Sequence, residues 1–167
     1  MAACSSRWIP ATGAATRWVF KGEAGAPFAV CNAGGGFAYV GAMQDSFPHA
    51  LELSKRGYNA FALIYRPGAF GEEDLPRPAA VVLQYTGHAE YTPEDPPTFA
   101  CVGESDWIAN WRSMERRLQA LQDLGIPTEF HHYPGLPHGF GLGTGTVAEG
   151  WLDEAVAFWE AQRAPQS

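Results

Sequence analysis

Basic residues are scarce in this chain, with Lys and Arg totalling 11 against 18 Asp and Glu for a net charge of −7. That balance disfavours a phosphate-backbone partner and leaves no basic patch for an anionic membrane surface, so no nucleic acid and no membrane is expected. Cysteine is sparse as well. Cys4, Cys31 and Cys101 are odd in number, and two lie inside apolar strand-like runs. This suits buried free thiols in a reducing compartment and excludes a disulfide framework or a zinc-type Cys pair. No apolar run is long enough to span a bilayer, and Met1 to Gly13 has no basic residue ahead of an apolar stretch. Neither export nor anchoring is expected, and a cytoplasmic location is the default. Internal repeats and low-complexity tracts are lacking too.

What is present is ordinary globular composition: 46% hydrophobic and 17% charged over 167 residues, enough for a single domain spanning residues 1–167 with a sizeable core. Thr16 to Phe20 alternates as a short edge strand after a stretch with little periodicity. Pro27 to Cys31 reads as a buried strand that empties into Asn32-Ala33-Gly34-Gly35-Gly36-Phe37. Ser46 to Arg56 has helical spacing with Gly57 just past its end, and Ala60 to Tyr65 is the next strand, giving a βαβ unit of a parallel sheet. Pro67, Gly68, Gly71, Pro76 and Pro78 then leave no room for a crossover helix. Ala79 to Tyr85 and Thr98 to Gly103 are further buried-strand runs. Trp107, Trp111, Met114, Leu118, Leu121 and Leu124 form an amphipathic helix, with Asp106 as its expected cap. Thr128 to Tyr133 is the last strand, and Trp151 to Trp159 a closing helix.

The stretch from His131 to Gly141 holds two prolines and three glycines, which forbid regular structure, with His138 at the centre of the break. In a parallel sheet, loops beyond the carboxyl ends of strands share one edge, where ligands and catalytic groups collect. Four features fall at such ends: the Gly34-Gly35-Gly36 loop, His88, Asp106 and His138.

In this order and spacing the motifs resemble the α/β-hydrolase family, in particular its small esterase and lipase-like branch that includes acetyl-xylan and feruloyl esterases. Asn32-Ala33-Gly34-Gly35-Gly36-Phe37 resembles the oxyanion loop, Gly103-Glu104-Ser105-Asp106 the strand end that delivers the triad acid, and Pro137-His138-Gly139-Phe140 the loop that delivers the triad histidine. The resemblance runs from about Phe20 to Gln162. It implies an α/β fold with a mostly parallel sheet, flanking helices, and ester hydrolysis.

The chain departs from the family pattern in one respect that decides the chemistry. Its serines are Ser5, Ser6, Ser46, Ser54, Ser105, Ser113 and Ser167, and none lies in a Gly-x-Ser-x-Gly elbow. Between Arg66 and Ala79 the family would hold the nucleophile strand and its helices, on the order of 50 residues. The expected architecture is therefore a shortened α/β-hydrolase-like fold without them. Either the strands at Phe28–Cys31 and Ala79–Tyr85 pair directly, or each exposes an unpaired edge, which predicts a homodimer that covers it.

An acyl-enzyme route needs a nucleophile near His138, and Ser105, just before Asp106 on a strand end, is expected to face away. Water is the expected attacker, activated by His138 and Asp106. A divalent ion such as zinc held by His88, Asp106 and His138 is the accompanying expectation, with Glu104 and Asp95 as further carboxylates. His131 and His132 point to opposite strand faces and are expected to be packed or solvated. Trp107, Trp111, Tyr85 and Phe37 are read as core or interface. The expected substrates are small or activated esters, carboxyl or phosphate. The competing expectation is a catalytically silent remnant that acts in self-association or binding.

Overall fold

A computed structural model describes residues 6–9, 15–35, 40–65 and 78–163. They divide between two compact units, Met1–Glu73 and Asp74–Ser167. The fold is α/β with flanking helices, and three of its five strand pairings are parallel.

The first unit holds β1 (Ser6–Ile9), β2 (Ala15–Phe20), β3 (Phe28–Asn32), the short α1 (Ala42–Asp45), α2 (Phe47–Lys55) and β4 (Asn59–Tyr65). Its sheet runs β1-β2-β4-β3, with β3 parallel to β4 and the other pairs antiparallel. Ala60 and Ala62 of β4 and Ala50 of α2 are fully buried, with Leu53 buried beside them on the inner face of α2, because small strand residues let the helix approach closely. The Ser54 hydroxyl donates to the Lys21 carbonyl at 2.6 Å and ties that helix to the end of β2. The expected edge strand is corrected here: Thr16 to Phe20 lies inside the sheet because β1, whose residues show no periodicity in sequence, pairs along its outer side.

The second unit carries β5 (Val81–Gln84), β6 (Thr98–Gly103), α3 (Trp111–Asp123), β7 (Thr128–Tyr133) and α4 (Trp151–Arg163). Its three strands are all parallel, in the order β5-β6-β7. All six residues of β6 are buried, as a central parallel strand covered on both faces requires. Alternation sorts them: Phe99 and Cys101 join Trp151, Leu152, Ala155 and Phe158 of α4, while Ala100 and Val102 join Met114 and Leu118 of α3.

The connection from β5 to β6 contains no helix. Arg117 of α3 pins it, its Nε donating to the Glu90 carbonyl at 2.7 Å and its Nη2 meeting Asp95 Oδ2 at 2.6 Å. Helix α3 starts later than the sequence pattern suggests. Asn110 caps it by accepting from Arg112 N at 3.0 Å, so Asp106 is not the cap and Trp107 stands outside the helix. Within the first unit β3 pairs with β4, and within the second β5 pairs with β6, each at the end of its sheet.

Candidate active site

The carboxyl ends of β6 and β7 bring Asp106 and His138 together in the second unit. After β6 the backbone turns at Gly103, where the Asp106 amide donates to the Gly103 carbonyl at 3.2 Å and the Ser105 amide to the Leu136 carbonyl at 3.0 Å. This stitches the acid loop to the histidine loop. Glycine is required at the crossing, since a Cβ on Gly103 would lie 2.0 Å from the Leu136 carbonyl oxygen. Gly135 and Gly139, with φ of 70° and 81°, let the chain reverse on either side of His138.

The Asp106 side chain is fully buried, and both of its oxygens are engaged. Oδ1 accepts from the amides of Ile108 at 2.8 Å and Ala109 at 2.7 Å. Oδ2 lies 2.7 Å from His138 Nδ1. A carboxylate accepts, so Nδ1 carries the proton and the Nε2 lone pair is left available as a base. The imidazole, 28% exposed, is reachable by small molecules. Its loop is braced from two sides: the Gln84 side-chain amide and the Trp151 indole Nε1, the latter at 3.0 Å, both donate to the Gly141 carbonyl. The Tyr85 ring packs against His138 with centroids 4.8 Å apart.

His88 is exposed on the connection after β5, and among the described residues no group of three or more His, Cys, Asp or Glu side chains is arranged to hold a metal ion. Of the expected set His88, Asp106 and His138, Asp106 has both oxygens engaged, with the Ile108 and Ala109 amides and with His138. Glu104 is likewise engaged, 2.6 Å from His132 Nδ1, and Asp95 is held by Arg117. Ser105 is exposed in the turn that precedes Asp106.

His131 and His132 occupy opposite faces of β7. His131 stacks on Phe99 at 5.2 Å and meets Glu129 at 2.7 Å, whereas His132 lies nearly parallel to Trp111 at 4.7 Å. Gly34 and Gly35 belong to the first unit, where the Gly41 amide donates to the Gly34 carbonyl at 2.9 Å. Gly36 and Phe37 lie outside the described residues, as do Cys4 and nearly all of the stretch from Arg66 to Pro78. Burial pushes the Cys31 thiol up to about 12 and raises Cys101 well above the usual thiol range, with the Glu154 carboxylate adding to the Cys101 rise, so neither is a thiolate near neutrality.

Sequence reasoning overlooked the braces. Gln84 and Trp151 sit far along the chain from His138, and only the common destination of their hydrogen bonds at Gly141 links them. Gly103 offered a usable signal, a glycine at the end of an otherwise apolar strand, which marks close backbone approach.

No family model matches the chain, and no curated protein matches it. Solved structures do. It superposes on a sugar hydrolase from Lactococcus lactis with a TM-score of 0.77 at 16% identity, covering 95% of this chain and 98% of that one. The acetyl ester-xyloside bifunctional hydrolase from Caldicellulosiruptor lactoaceticus gives a TM-score of 0.73 at 18% identity over 87% and 88% of the two chains. The carboxylesterase Cest-2923 from Lactobacillus plantarum gives 0.74 at 14% over 96% and 98%. At these identities the likeness is one of fold alone.

Proposed function

We propose that this protein hydrolyses small or activated esters with a water molecule that His138 activates, in place of a serine nucleophile. The observation that carries the reading is the 2.7 Å contact between His138 Nδ1 and the fully buried Asp106 carboxylate, at adjacent carboxyl strand ends of a fold shared with esterases. Asp106 fixes the tautomer and stabilises the imidazolium. Nε2 takes one proton from water as its oxygen bonds to the ester carbon, and returns that proton to the departing alkoxide as the carbon–oxygen bond breaks, giving acid and alcohol.

Two features support an unassisted water over a side-chain nucleophile. The sequence contains no Gly-x-Ser-x-Gly elbow, and the strands that would flank a nucleophile strand each end a sheet. The oxyanion role of Gly34, Gly35 and Gly36 is proposed on resemblance alone. A homodimer is proposed as the working state, supported by the position of β3 and β5 at the ends of their sheets and by the exposed Phe28 and Val30 on β3.

The test is turnover of a chromogenic carboxyl ester and a phosphotriester by the purified protein, repeated after chelator treatment and with a serine-directed inhibitor. Turnover insensitive to both agents is expected. Loss on chelation with recovery on zinc add-back would instead make a metal the source of the nucleophile. Loss to the inhibitor would point to an overlooked hydroxyl, and no turnover at all to a silent remnant that acts by self-association.

A further inference from the structure

One hydrogen bond holds a ring as a hinge does: the Asp106 contact fixes His138 Nδ1 and leaves the imidazole free to swing about it. Something else must set the ring plane if Nε2 is to face a substrate consistently. Tyr85 is placed to do so. It follows β5 directly, its amide still donates to the Cys101 carbonyl at 2.8 Å, and its side chain is buried. Its ring meets His138 at 4.8 Å and 59°, and meets Phe140 edge-on at 4.9 Å. The tyrosine is thus wedged between the two side chains that flank Gly139, contacting the histidine loop on both sides of its turn.

The backbone shows that this placement is specified. Among the described residues Tyr85 is the one non-glycine with positive φ, at 39°. Bulky residues avoid this region, and such outliers persist where the surroundings hold them, commonly at functional sites. The conformation has a geometric use. In a regular strand successive side chains point to opposite faces, yet Gln84 and Tyr85 both reach the histidine loop, one at the Gly141 carbonyl and the other at His138.

We propose that Tyr85 is a positioning residue for His138, its ring locking the imidazole plane that the Asp106 hydrogen bond alone leaves free. The inference rests on the reading of His138 as the base. Its experiment separates the two by including a readout that needs no turnover, the NMR resonances of the His138 ring, above all the Nδ1 proton bonded to Asp106. Tyr85→Asn keeps a residue that tolerates positive φ and removes the ring. Tyr85→Leu keeps apolar bulk without the flat face, and serves if the asparagine variant fails to fold.

In a folded variant lacking the ring, the Nδ1 proton signal is expected to broaden or vanish by faster exchange with water. Ester turnover is expected to fall about 10-fold or more in kcat with KM little changed. Tyr85→Phe, which restores the ring, is expected to rescue both readouts. A folded leucine or asparagine variant with a sharp Nδ1 proton and undiminished kcat overturns the proposal. If the wild-type protein turns over no ester while the ring resonances respond as described, the hydrolase reading fails and the positioning role stands.

Discussion

Asp106 does three jobs with two oxygens, and this makes its amide variant informative. Asp106→Asn can keep the bonds from the Ile108 and Ala109 amides, but it turns an NH2 toward His138 Nδ1. The imidazole must then protonate at Nε2, which removes the lone pair that would accept a proton from water. Asp106→Asn and His138→Ala are both expected to lower ester turnover by on the order of 10²–10⁴-fold while leaving the fold intact. His131→Ala and His132→Ala, whose rings stack on Phe99 and Trp111 instead, are expected to change it far less. Steady-state rates on one chromogenic ester decide it, and the opposite ranking would move the base to β7. The thiols give a second check at this scale. With Cys31 pushed up to about 12 and burial raising Cys101 as well, a Cys4→Ser variant is expected to react with a thiol reagent at neutral pH only after denaturant is added.

Helices and strands differ in how far their sequences announce them. The alternation of β6 and the spacing of Met114, Leu118 and Leu121 were legible because burial on two faces and on one face impose periods of two and about 3.6. The start of α3 was not, since Trp107 continues the apolar spacing while the chain at 106–110 is held in a turn by hydrogen bonds to Asp106 and capped by Asn110. Two acceptors compete for the same stretch of amides, and the nearer side chain at Asn110 claims Arg112. The pair His138 and Asp106 was legible from strand order alone, because parallel neighbours put their loops on one edge. His88 follows β5 on an irregular connection that Arg117 holds further along, at Glu90 and Asp95, and is exposed there. Asn110→Ala is expected to lower stability by about 1 kcal/mol through loss of the cap. Gly103→Ala, whose Cβ would meet the Leu136 carbonyl at 2.0 Å, is expected to cost about 3 kcal/mol and to slacken the histidine loop. Urea denaturation followed by tryptophan fluorescence ranks the two, and equal effects would contradict the close crossing of the acid and histidine loops.

Among the described residues, two parallel strands end their sheets without the devices that usually guard an edge. Phe28–Asn32 and Val81–Gln84 carry no charge and no proline, and Phe28, Val30 and Val82 are 64%, 52% and 42% exposed. A sheet-end strand with exposed apolar side chains favours pairing with another copy, while a net charge of −7 on each copy opposes it. The repulsion is screened by salt over about 8 Å at physiological ionic strength, whereas apolar burial is not, so association should strengthen as salt is raised. Light scattering is expected to give about twice the 18.1 kDa of one chain, with the dimer persisting to lower concentration in high salt. Val30→Lys places a charge on the exposed edge without touching the buried Ala60 and Ala62, and is expected to return an 18.1 kDa species with an unchanged fold. A wild-type protein that stays at the single-chain mass at every concentration and salt would show that these edges are covered from within the chain.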